Sequence, residues 1–385
     1  MKRSSLDIAV LGLSISSSWG NGHATTYRGL VRELSRRGHH LTFYERDAEW
    51  NASHRDLPEP DFCRLVLYAS LDDLFERYGT AIAGSDMVII GSFVPEGIRV
   101  IDRITATARG VVAFYDLDTP VTLDALRENR CDYLSPRQIP RFDLYLSSTG
   151  GPTLALLERD FEARAARPLY SSVDPELYFP VPAPERWDLA CLGTYSADRQ
   201  ETLERLLLEP ARVWADGRFA VAGPQYPDSI EWPRNVERIA HVEPEDHRTF
   251  YCSQRFTLNV TREPMVRAGY SPSVRLFEAA ACGIPILTDP WPGLEDLFEV
   301  GSEVIACGSP QDVLAALREV PEEERRAIGA RARRRVLRNH TAAHRAEELE
   351  RYFMETLLLG RLRPRTATGL TMPAAGVATE VRERV

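Results

Sequence analysis

The sequence predicts an α/β protein in which two doubly wound parallel sheets face each other across a cleft. Short apolar strands alternate with amphipathic helices over residues 6–116, the same alternation returns over residues 188–289, and a proline-rich segment separates the two series. This rhythm is typical of βαβ units, whose strands lie parallel. The length of 385 residues agrees with two domains rather than one small binding module.

The first series consists of apolar runs bounded by turn residues, with helical stretches between them. The predicted strands are 6–14, 40–46, 86–92 and 110–116, and the predicted helices are 25–38, 70–79 and 95–108. The runs MVII and VVAFY are apolar throughout, as expected of strands that are covered on both faces. The turn residues on both sides of these runs favour strands over buried helix.

The second series follows the segment PLYSSVDPELYFPVPAPERW, which holds five prolines and no helical period. Its predicted strands are 188–196, 218–224, 237–242, 256–261 and 285–289, and its predicted helices are 199–208, 244–253 and 271–283. We therefore predict an N-terminal domain at 1–167, a linker at 168–187, a C-terminal domain at 188–340, a final helix at 341–360 and a disordered tail at 361–385.

The composition excludes several function classes. The net charge of −9 argues against a dedicated nucleic-acid-binding protein, which would be basic. Lys2 is the only lysine among the 47 basic residues, so sites that depend on a phosphate-binding or Schiff-base lysine are excluded. An anionic ligand must therefore be held by arginines, backbone N–H groups or hydroxyls.

The six cysteines form no C-x-x-C pair and no zinc-type cluster with histidine. They are typical of small buried side chains in a reducing compartment. The N-terminal apolar run is soon interrupted by polar residues, and no other run approaches the roughly 18 apolar residues of a membrane span. We therefore predict a cytoplasmic chain without a transmembrane segment, while peripheral membrane contact and the oligomeric state stay open.

Ligands of open α/β sheets bind at the carboxyl ends of the strands, so the loops that follow the strands are the candidate sites. The first such loop, SSWGNGHATT, contains Gly20 and Gly22, which permit close backbone approach. Thr25 occupies the third position of G-x-G-x-x-G, which disfavours a dinucleotide site. His23 is either a substrate-contacting residue and candidate base or an exposed loop histidine.

The loop CLGTYSADRQ follows the first strand of the second series. Gly193 permits close backbone approach, Thr194 and Ser196 offer hydroxyls, and Arg199 lies in the first turn of a helix. These residues form either an anion pocket or a plain helix cap with a solvated arginine. The next predicted strand ends at Gly223–Pro224, again at the rim of the cleft.

Residues 258–289 carry the most specific pattern. The Ser-Pro-Ser sequence at 271–273 opens a helix, so that free N–H groups and the positive end of the helix dipole point outward and suit a diphosphate. Glu278 lies inside that helix among small apolar residues and needs a partner. The partner is either the hydroxyls of a sugar, or Arg275 or a backbone amide within the fold.

Two other pairs have the spacing of metal ligands. Asp116 and Asp118 follow a strand with Asp-x-Asp spacing, but a metal site there needs further oxygen ligands that the sequence does not identify. An acceptor contact or a structural turn is the preferred interpretation. His340 and His344 have i, i+4 spacing without the glutamate of H-E-x-x-H. We therefore predict no metal site.

Three passages in order resemble the group 1 glycosyltransferases of the two-Rossmann-domain type called GT-B. SSVDPELYFPV is similar to the family's linker, LGTYSADRQ to its first C-terminal strand and phosphate loop, and GYSPSVRLFEAAACGIPIL to its signature E-G-F-G-x-x-x-x-E-A-x-A-C-G-x-P-V. Other passages, including FYDLDTPVTL, STGGPTLALLERDF and CSQRFTLNVTR, resemble the CgeB-like branch, named after spore-maturation proteins. The resemblance covers about residues 6–358 and implies the GT-B architecture, with the C-terminal helix crossing back to the N-terminal domain.

The resemblance implies a hexosyltransferase of polysaccharide or glycoconjugate biosynthesis, with a nucleotide-sugar as donor substrate and no tightly bound cofactor. It implies that Glu278 accepts ribose hydroxyls, that Tyr270 to Val274 surround the pyrophosphate, that Arg199 neutralises phosphate and that the loop at His241–Val242 meets the base. The predicted donor-side residues are Gly193, Thr194, Ser196, Arg199, Gly223, Pro224, His241, Val242, Arg262, Tyr270, Ser271, Pro272, Ser273, Val274 and Glu278.

The chain departs from the family pattern at two points. Tyr270 stands where the family has the first glutamate of its E-x7-E pair, and the family's phosphate-binding lysine has no counterpart. Arg262, Arg267 or Arg275 could replace the missing positive charge. The tyrosine weakens any assignment of a retaining mechanism.

The acceptor would occupy the N-terminal half of the cleft. The predicted acceptor-side residues are Trp19, Gly20, Asn21, Gly22, Phe93, Glu96 and Asp116, and the candidate catalytic bases are His23 and Asp118. Transfer would proceed without a protein-bound metal, because arginines and a helix N-terminus would stabilise the leaving nucleoside diphosphate. Two alternatives stay open: a nucleotide-sugar epimerase of the same fold, and a non-catalytic polysaccharide-assembly protein.

Overall fold

The strands of the chain form two sheets. The computed structural model describes residues 5–19 and 22–362. The strands of the first sheet are β1 (Asp7–Gly12), β2 (His40–Arg46), β3 (Arg64–Tyr68), β4 (Met87–Gly91), β5 (Val111–Asp116), β6 (Leu144–Ser147) and β7 (Ala166–Pro168). The strands of the second sheet are β8 (Trp187–Leu192), β9 (Phe219–Ala222), β10 (Val236–Ile239), β11 (Gln254–Asn259), β12 (Ile286–Thr288) and β13 (Ile305–Ala306).

Helices connect the strands and cover the faces of the sheets. The helices of the N-terminal half are α1 (Gly22–Arg36), α2 (Glu49–Ala52), α3 (Leu71–Gly84), α4 (Gly97–Thr107), α5 (Thr119–Arg127) and α6 (Pro152–Asp160). Those of the C-terminal half are α7 (Ala197–Leu203), α8 (Glu209–Val213), α9 (His247–Cys252), α10 (Glu263–Ala268), α11 (Val274–Ala281), α12 (Leu294–Leu297), α13 (Pro310–Glu319), α14 (Glu322–Asn339) and α15 (Ala342–Leu362).

Both sheets reverse their strand order near the middle. The orders are β3-β2-β1-β4-β5-β6-β7 and β10-β9-β8-β11-β12-β13, and the paired strands are parallel. Strands β4, β5 and β8 are buried along their whole length, because helices cover both faces of each sheet and enclose two apolar clusters per sheet. The loops after β1 and β4, and after β8 and β11, flank the two reversal points, where ligands bind in open sheets of this kind. The predicted fold class is confirmed.

The last helix, α15, belongs to the first sheet in space although it follows the second sheet in sequence. Ala346, Leu349 and Phe353 of α15 are buried in the apolar cluster that also contains the inner face of α1. The Tyr352 hydroxyl donates a hydrogen bond to the carbonyl oxygen of Pro168 at 3.1 Å. The predicted crossing of the C-terminal helix to the N-terminal domain is confirmed.

The chain consequently passes between the two domains twice, and the two passages are joined by backbone hydrogen bonds. The Val173 N–H donates to the His340 carbonyl at 3.1 Å, and the Ala342 N–H donates to the Val173 carbonyl at 3.0 Å. This pairing of the two connections forms a short two-stranded contact beside the cleft.

Several boundaries differ from those that periodicity predicts. The predicted helix at 199–208 becomes α7, a π-helical turn at Glu204–Leu208 and then α8, and the predicted helix at 244–253 begins as a 3-10 turn at Pro244–Asp246. Strand β3 is absent from the prediction because it is a short, half-exposed edge strand. Helix α15 extends to Leu362, and the rest of the predicted tail lies outside the described residues. Among the described helices, none is long and apolar enough to cross a membrane.

The two histidines with metal-like spacing serve packing. His340 is buried with its ring stacked on Phe277 at a centroid distance of 4.9 Å, and its Nδ1 lies 2.8 Å from Nη2 of Arg345. Burial, followed by the nearby Arg345 charge, lowers the pKa of His340 to about 3. The Nδ1 atom of His344 lies 2.7 Å from the Thr341 hydroxyl instead.

Candidate functional site

A cleft of about 680 Å³ lies between the carboxyl ends of the two sheets. One wall consists of the loops after β1, β4 and β5 of the first sheet, and the other consists of the loops after β8, β9 and β11 together with the start of α11. Nineteen of the predicted donor-side, catalytic and acceptor-side residues line this space, together with several residues that the prediction lacks. The topology of the sheets therefore brings together residues that are far apart in sequence.

The floor of the second wall depends on two glycines in close contact. Gly223 has a φ of +139°, and a Cβ atom at this position would lie 2.1 Å from the carbonyl oxygen of Gly193. The Gly193 N–H donates to the Ala222 carbonyl at 2.8 Å, which ties the loop after β8 to the end of β9. A side chain at Gly223 would push these loops apart, so glycine is required here.

Three arginines line this wall. Arg262 is paired with Asp198, whose Oδ2 lies 3.1 Å from the arginine Nε. Arg199 donates to the Thr194 carbonyl at 3.2 Å, and the Arg275 guanidinium lies beside Gly193. Within the part of the chain that the structure describes, neither Arg199 nor Arg275 has a carboxylate oxygen within 4.0 Å.

The arginines of this wall repel one another. The pKa of Arg199 is lowered to about 10. Burial is the largest cause, and the charges of Arg275 and Arg262 are the next causes. The shift disfavours the charged form, so an anion placed between the guanidinium groups would relieve it. Arg199 is partly buried beside two other arginines rather than fully solvated, and the anion pocket stays a prediction.

The first turn of α11 faces the same space. Ser273 is the N-cap residue, and its side-chain oxygen accepts a hydrogen bond from the Arg275 N–H at 3.3 Å. Pro272 and Val274 also line the cleft. The free N–H groups and the positive dipole end of an eight-residue helix thus lie next to the arginines.

Glu278 lies one turn further along α11 than Arg275, on the same face of the helix, and is only 3% exposed. Its Oε2 accepts a hydrogen bond from the Tyr251 hydroxyl at 3.1 Å, and the Tyr178 hydroxyl also hydrogen-bonds to this carboxylate. Burial, together with the Glu278 charge, raises the pKa of both tyrosines well above the ordinary value. The partners within the fold are therefore tyrosine hydroxyls and not Arg275, and the carboxylate still lines the cleft.

The loop that follows β10 closes this end of the cleft. His241 and Val242 line it, and the Val242 carbonyl lies 3.2 Å from Nε2 of His247. Burial lowers the pKa of His247, which favours its neutral form. Across the cleft, the rings of His241 and Trp19 have centroids 6.4 Å apart.

The opposite wall carries a histidine–aspartate pair. His23 lies in the first turn of α1 and Asp118 immediately precedes α5, and His23 Nε2 is 2.9 Å from Asp118 Oδ2. Their side chains are 13% and 26% exposed, so both can reach a ligand. An aspartate in this position orients the imidazole, as it does for a histidine that serves as a general base.

Aromatic side chains flank this pair. The Phe93 ring lies 5.5 Å from the His23 ring between centroids, and Trp19 stacks on His54 at 4.3 Å with an interplanar angle of 20°. Phe93 has a φ of +62°, an unfavourable value for a bulky residue. Backbone strain of this kind persists only where the surrounding structure enforces it, and it is concentrated at functional sites.

Three predicted site residues lie elsewhere. Asp116 is fully buried beneath the cleft, where its oxygens accept hydrogen bonds from Tyr145 and Thr122, each at 2.7 Å. Burial raises the pKa of Asp116 to about 6. Its role is structural, which corrects its placement among the acceptor-side residues.

Glu96 also lies outside the acceptor wall. Its carboxylate pairs with Arg99 at 2.5 Å and with Arg46 at 3.3 Å on the protein surface. These surface pairs explain the position better than a ligand contact. Gly20 and Asn21 lie outside the described residues, whereas Trp19 and Gly22 line the cleft.

Tyr270 is the third residue that the structure places away from the cleft. Its ring fills the space above two glycines, since a Cβ atom at Gly151 or at Gly293 would lie 2.3 or 2.4 Å from it. Its backbone joins the domains, because the Gly150 N–H donates to the Tyr270 carbonyl at 2.9 Å. The neighbouring Ser271 does line the cleft, and its hydroxyl accepts a hydrogen bond from the Thr149 hydroxyl of the first domain.

The structure also adds site residues to those that the sequence suggests. Of the three candidates for the missing positive charge, Arg262 and Arg275 line the cleft, whereas Arg267 pairs with Asp124 and Glu263. The remaining additions are Leu13, Ser18, Thr25, Thr26, Leu117, Ser148, Ser171, Leu192, Tyr195, Pro244, His247, Val260, Thr261 and Met265. Most lie one or two residues beyond a strand end, which a topological argument can indicate without fixing the side chain. The described residues contain no group of three or more potential metal-ligating side chains.

Part of the chain matches a known protein family. Residues 199–351 match the family model described as "Glycosyl transferase-like". No curated protein matches the chain.

Solved structures are similar over almost the whole chain. Sucrose-phosphate synthase from Thermosynechococcus elongatus has 14% identity and a TM-score of 0.66, over 92% of this chain and 100% of that one. HepE from Anabaena in complex with UDP-glucose has 12% identity and a TM-score of 0.65, over 92% and 100%. An alpha-glucosyltransferase in complex with UDP and a 13-mer DNA has 13% identity and a TM-score of 0.67, over 91% and 100%. The shared fold confirms the GT-B architecture.

Proposed function

We propose that this chain is a group 1 glycosyltransferase of the CgeB-like branch, which transfers a hexosyl unit from a nucleotide-sugar to an acceptor on the opposite wall of the cleft. The observation that carries the proposal is the grouping of Arg199, Arg275 and Glu278 beside the N-terminus of α11. The match of residues 199–351 to a glycosyl transferase-like family, and neighbours solved with UDP or UDP-glucose, support a nucleotide-sugar donor.

The second wall would bind the donor. Arg199 and Arg275 supply two guanidinium groups that can hold a diphosphate by paired hydrogen bonds, and the N–H groups of α11 add to them. Glu278, which already receives the Tyr251 hydroxyl, would accept the ribose hydroxyls at the cleft surface. The loop at His241–Val242 would meet the base.

The first wall would activate the acceptor. His23, whose Nε2 lies 2.9 Å from Asp118 Oδ2, would be the base of this wall. The acceptor hydroxyl would lose its proton to His23 while its oxygen bonds to the anomeric carbon. The bond from that carbon to the diphosphate breaks, and its electron pair leaves with the diphosphate.

In this scheme arginines neutralise the charge that develops on the leaving group, so transfer requires no divalent cation. We therefore propose that activity survives chelation with EDTA. We also propose a cytoplasmic location, where nucleotide-sugars are substrates and where the six free cysteines would stay reduced.

The decisive experiment is calorimetric titration with UDP, GDP, ADP, CDP and dTDP and with nucleotide-sugars, on the wild type and on Glu278→Gln. We expect saturable binding of one nucleotide and about tenfold weaker binding by the variant, since a charged hydrogen-bond acceptor is lost. Glu303→Gln is the matched control, because Glu303 is also buried but pairs with Arg335 outside the cleft.

The outcomes separate the competing functions. No binding across the panel would contradict a donor site and favour a non-catalytic assembly protein. Conversion of a bound nucleotide-sugar into its epimer in the absence of any acceptor would favour an epimerase. Slow hydrolysis of the donor to free sugar and nucleoside diphosphate agrees with a transferase that lacks its acceptor.

A further inference from the structure

The acceptor wall has a chemical character of its own, which bears on what it binds. The donor wall contributes three arginines and one glutamate to the cleft, whereas the acceptor wall contributes the Asp118 carboxylate, the His23 imidazole and the rings of Trp19 and Phe93. We infer that the acceptor is an uncharged molecule that presents its reactive hydroxyl beside an apolar ring face, and that Trp19 and Phe93 select it. This inference rests on the proposed function.

Two arginines that contact the loop after β1 are already paired with carboxylates. Arg28 binds both oxygens of Asp56 at 2.7 and 2.8 Å, and Arg55 pairs with Asp47 at 2.6 Å. An anionic acceptor group would have to compete with these carboxylates for the guanidinium groups. The nearby Asp118 would repel it as well.

The N-terminus of α1 is a feature of this wall that favours an anion. The carboxylate of Asp118 lies against the first turn of α1 through its contact with His23 at 2.9 Å, so the positive end of the dipole already has a negative partner. A phosphate on the acceptor would displace that contact and uncouple the histidine from its aspartate. An uncharged acceptor leaves the pair intact.

The two rings are positioned to hold a flat apolar surface. Trp19 is half-buried, and its stacking on His54 at 4.3 Å fixes the plane of the indole. Phe93 is also half-buried, and its φ of +62° directs its ring to within 5.5 Å of His23. A ring that packs on these residues therefore places a substituent hydroxyl next to the imidazole. Aromatic side chains bind such surfaces at little cost in conformational freedom.

Ligand-observed NMR on the protein loaded with its nucleoside diphosphate tests the inference. The probes are methyl glucoside, phenyl glucoside and 4-methylumbelliferone, each compared with a phosphorylated counterpart: glucose 6-phosphate, phenyl glucoside 6-phosphate and 4-methylumbelliferyl phosphate. We expect the uncharged probes to bind and their counterparts to bind at least tenfold more weakly. The methyl and umbelliferone arms distinguish a sugar ring from an aromatic ring as the preferred surface.

Three variants make the assignment specific. Trp19→Ala is expected to weaken the uncharged probes about tenfold, and Trp19→Phe to restore most of that loss. Phe93→Asn removes the second ring and keeps a residue that tolerates a positive φ, with a similar expected loss. Nucleotide affinity should remain that of the wild type in all three, which shows that they fold.

Several outcomes would overturn the inference. Equal or tighter binding of the phosphorylated probes would do so, as would failure of every uncharged probe to bind at 10 mM or unchanged binding by Trp19→Ala and Phe93→Asn. In each of these cases the nucleotide titration on the same samples tests the proposed function separately from the inference about the acceptor. A chain that binds no nucleotide refutes the proposed function and this inference together.

Discussion

The two walls of the cleft are built on similar sheets but by different means. The donor wall concentrates its charge in one short helix and the loops beside it, with Arg275 and Glu278 three residues apart on α11. The acceptor wall joins residues that are distant in sequence, since His23 and Asp118 are separated by 95 positions. In the proposed function, Arg275 and Glu278 of one helix would contribute to donor binding together, whereas activation of the acceptor would depend on how the first sheet places two loops.

The largest effect is expected from breaking the acceptor wall at its histidine. His23→Ala should lower the transfer rate by about 10²–10⁴, because a positioned general base contributes that factor, while donor affinity stays unchanged. The check is a steady-state assay beside a nucleotide titration. His40→Ala, an exposed histidine on β2, is the control. Full activity of His23→Ala would remove the base from this wall.

The complementary change breaks the donor wall alone. Arg275→Ala should weaken nucleoside diphosphate binding by about 10- to 100-fold, since a hydrogen bond to a charged group is lost. The affinity of Arg275→Lys should lie between those of the wild type and Arg275→Ala. Arg212→Ala is the matched control, because Arg212 pairs with Glu204 outside the cleft. If Arg275→Ala binds the diphosphate as tightly as the wild type, the charge of Arg275 does not contribute to diphosphate binding.

A third test concerns stability beneath the acceptor wall. The folded-state pKa of Asp116 is raised from 3.8 to about 6 by burial, so the folded state binds this proton more tightly than the unfolded state does. The stabilisation from protonation is complete below pH 3.8 and is lost as the pH rises through about 6. As the pH is lowered from 7.5 to 4, the free energy of unfolding of the wild type should rise by on the order of 3 kcal/mol relative to that of Asp116→Asn.

Denaturant unfolding of both proteins across this pH range measures the difference. The control is Asp312→Asn, whose exposed carboxylate accepts hydrogen bonds at the start of α13 and whose pKa is lowered by the Ser309 hydroxyl and neighbouring backbone N–H groups. The wild type should lose stability relative to Asp312→Asn as the pH is lowered, which is the opposite direction. A constant difference between wild type and Asp116→Asn would show that Asp116 stays charged in the fold.

The smallest effect is expected at the contact between the walls. The Thr149 hydroxyl donates to the Ser271 hydroxyl at 2.8 Å across the domain boundary, in a fully buried position. Thr149→Val should weaken donor binding only about fivefold, the equivalent of one neutral hydrogen bond. Thr105→Val in α4, whose hydroxyl bonds within its own helix, should have no effect on binding. An effect as large as that of Arg275→Ala would make this contact part of the donor site itself.

The limits of the sequence prediction follow the same division. The alternation of strands and helices, the helix start at residues 271–273 and the importance of Glu278 are visible in local pattern, because each depends on neighbours along the chain. The pairing of His23 with Asp118 is invisible in that pattern, although both residues are candidates. Asp116 and Asp118 look alike in sequence, yet the pleat of β5 buries one and the following turn exposes the other to the cleft.

Tyr270 shows a further limit. The alignment of motifs places it correctly in the loop before α11, but side-chain direction depends on a φ of +49° and on the glycines of two other loops. Strand β3 and the surface pairs of Glu96 are similar cases, since exposure and partner choice are set by elements that fold against them. Such features need three-dimensional positions rather than periodicity.

The return of α15 to the first sheet has a consequence for the order of events during synthesis. The last strand of that sheet ends at Pro168, and α15 begins only at Ala342. At ribosomal rates of about 5–20 residues per second, roughly 10–35 s separate the two. Until then the apolar side of α1 that packs with Leu349 and Phe353 lacks this cover, and transiently exposed apolar surface of this kind is prone to aggregation. The domain that leaves the ribosome first is thus the domain that finishes folding last.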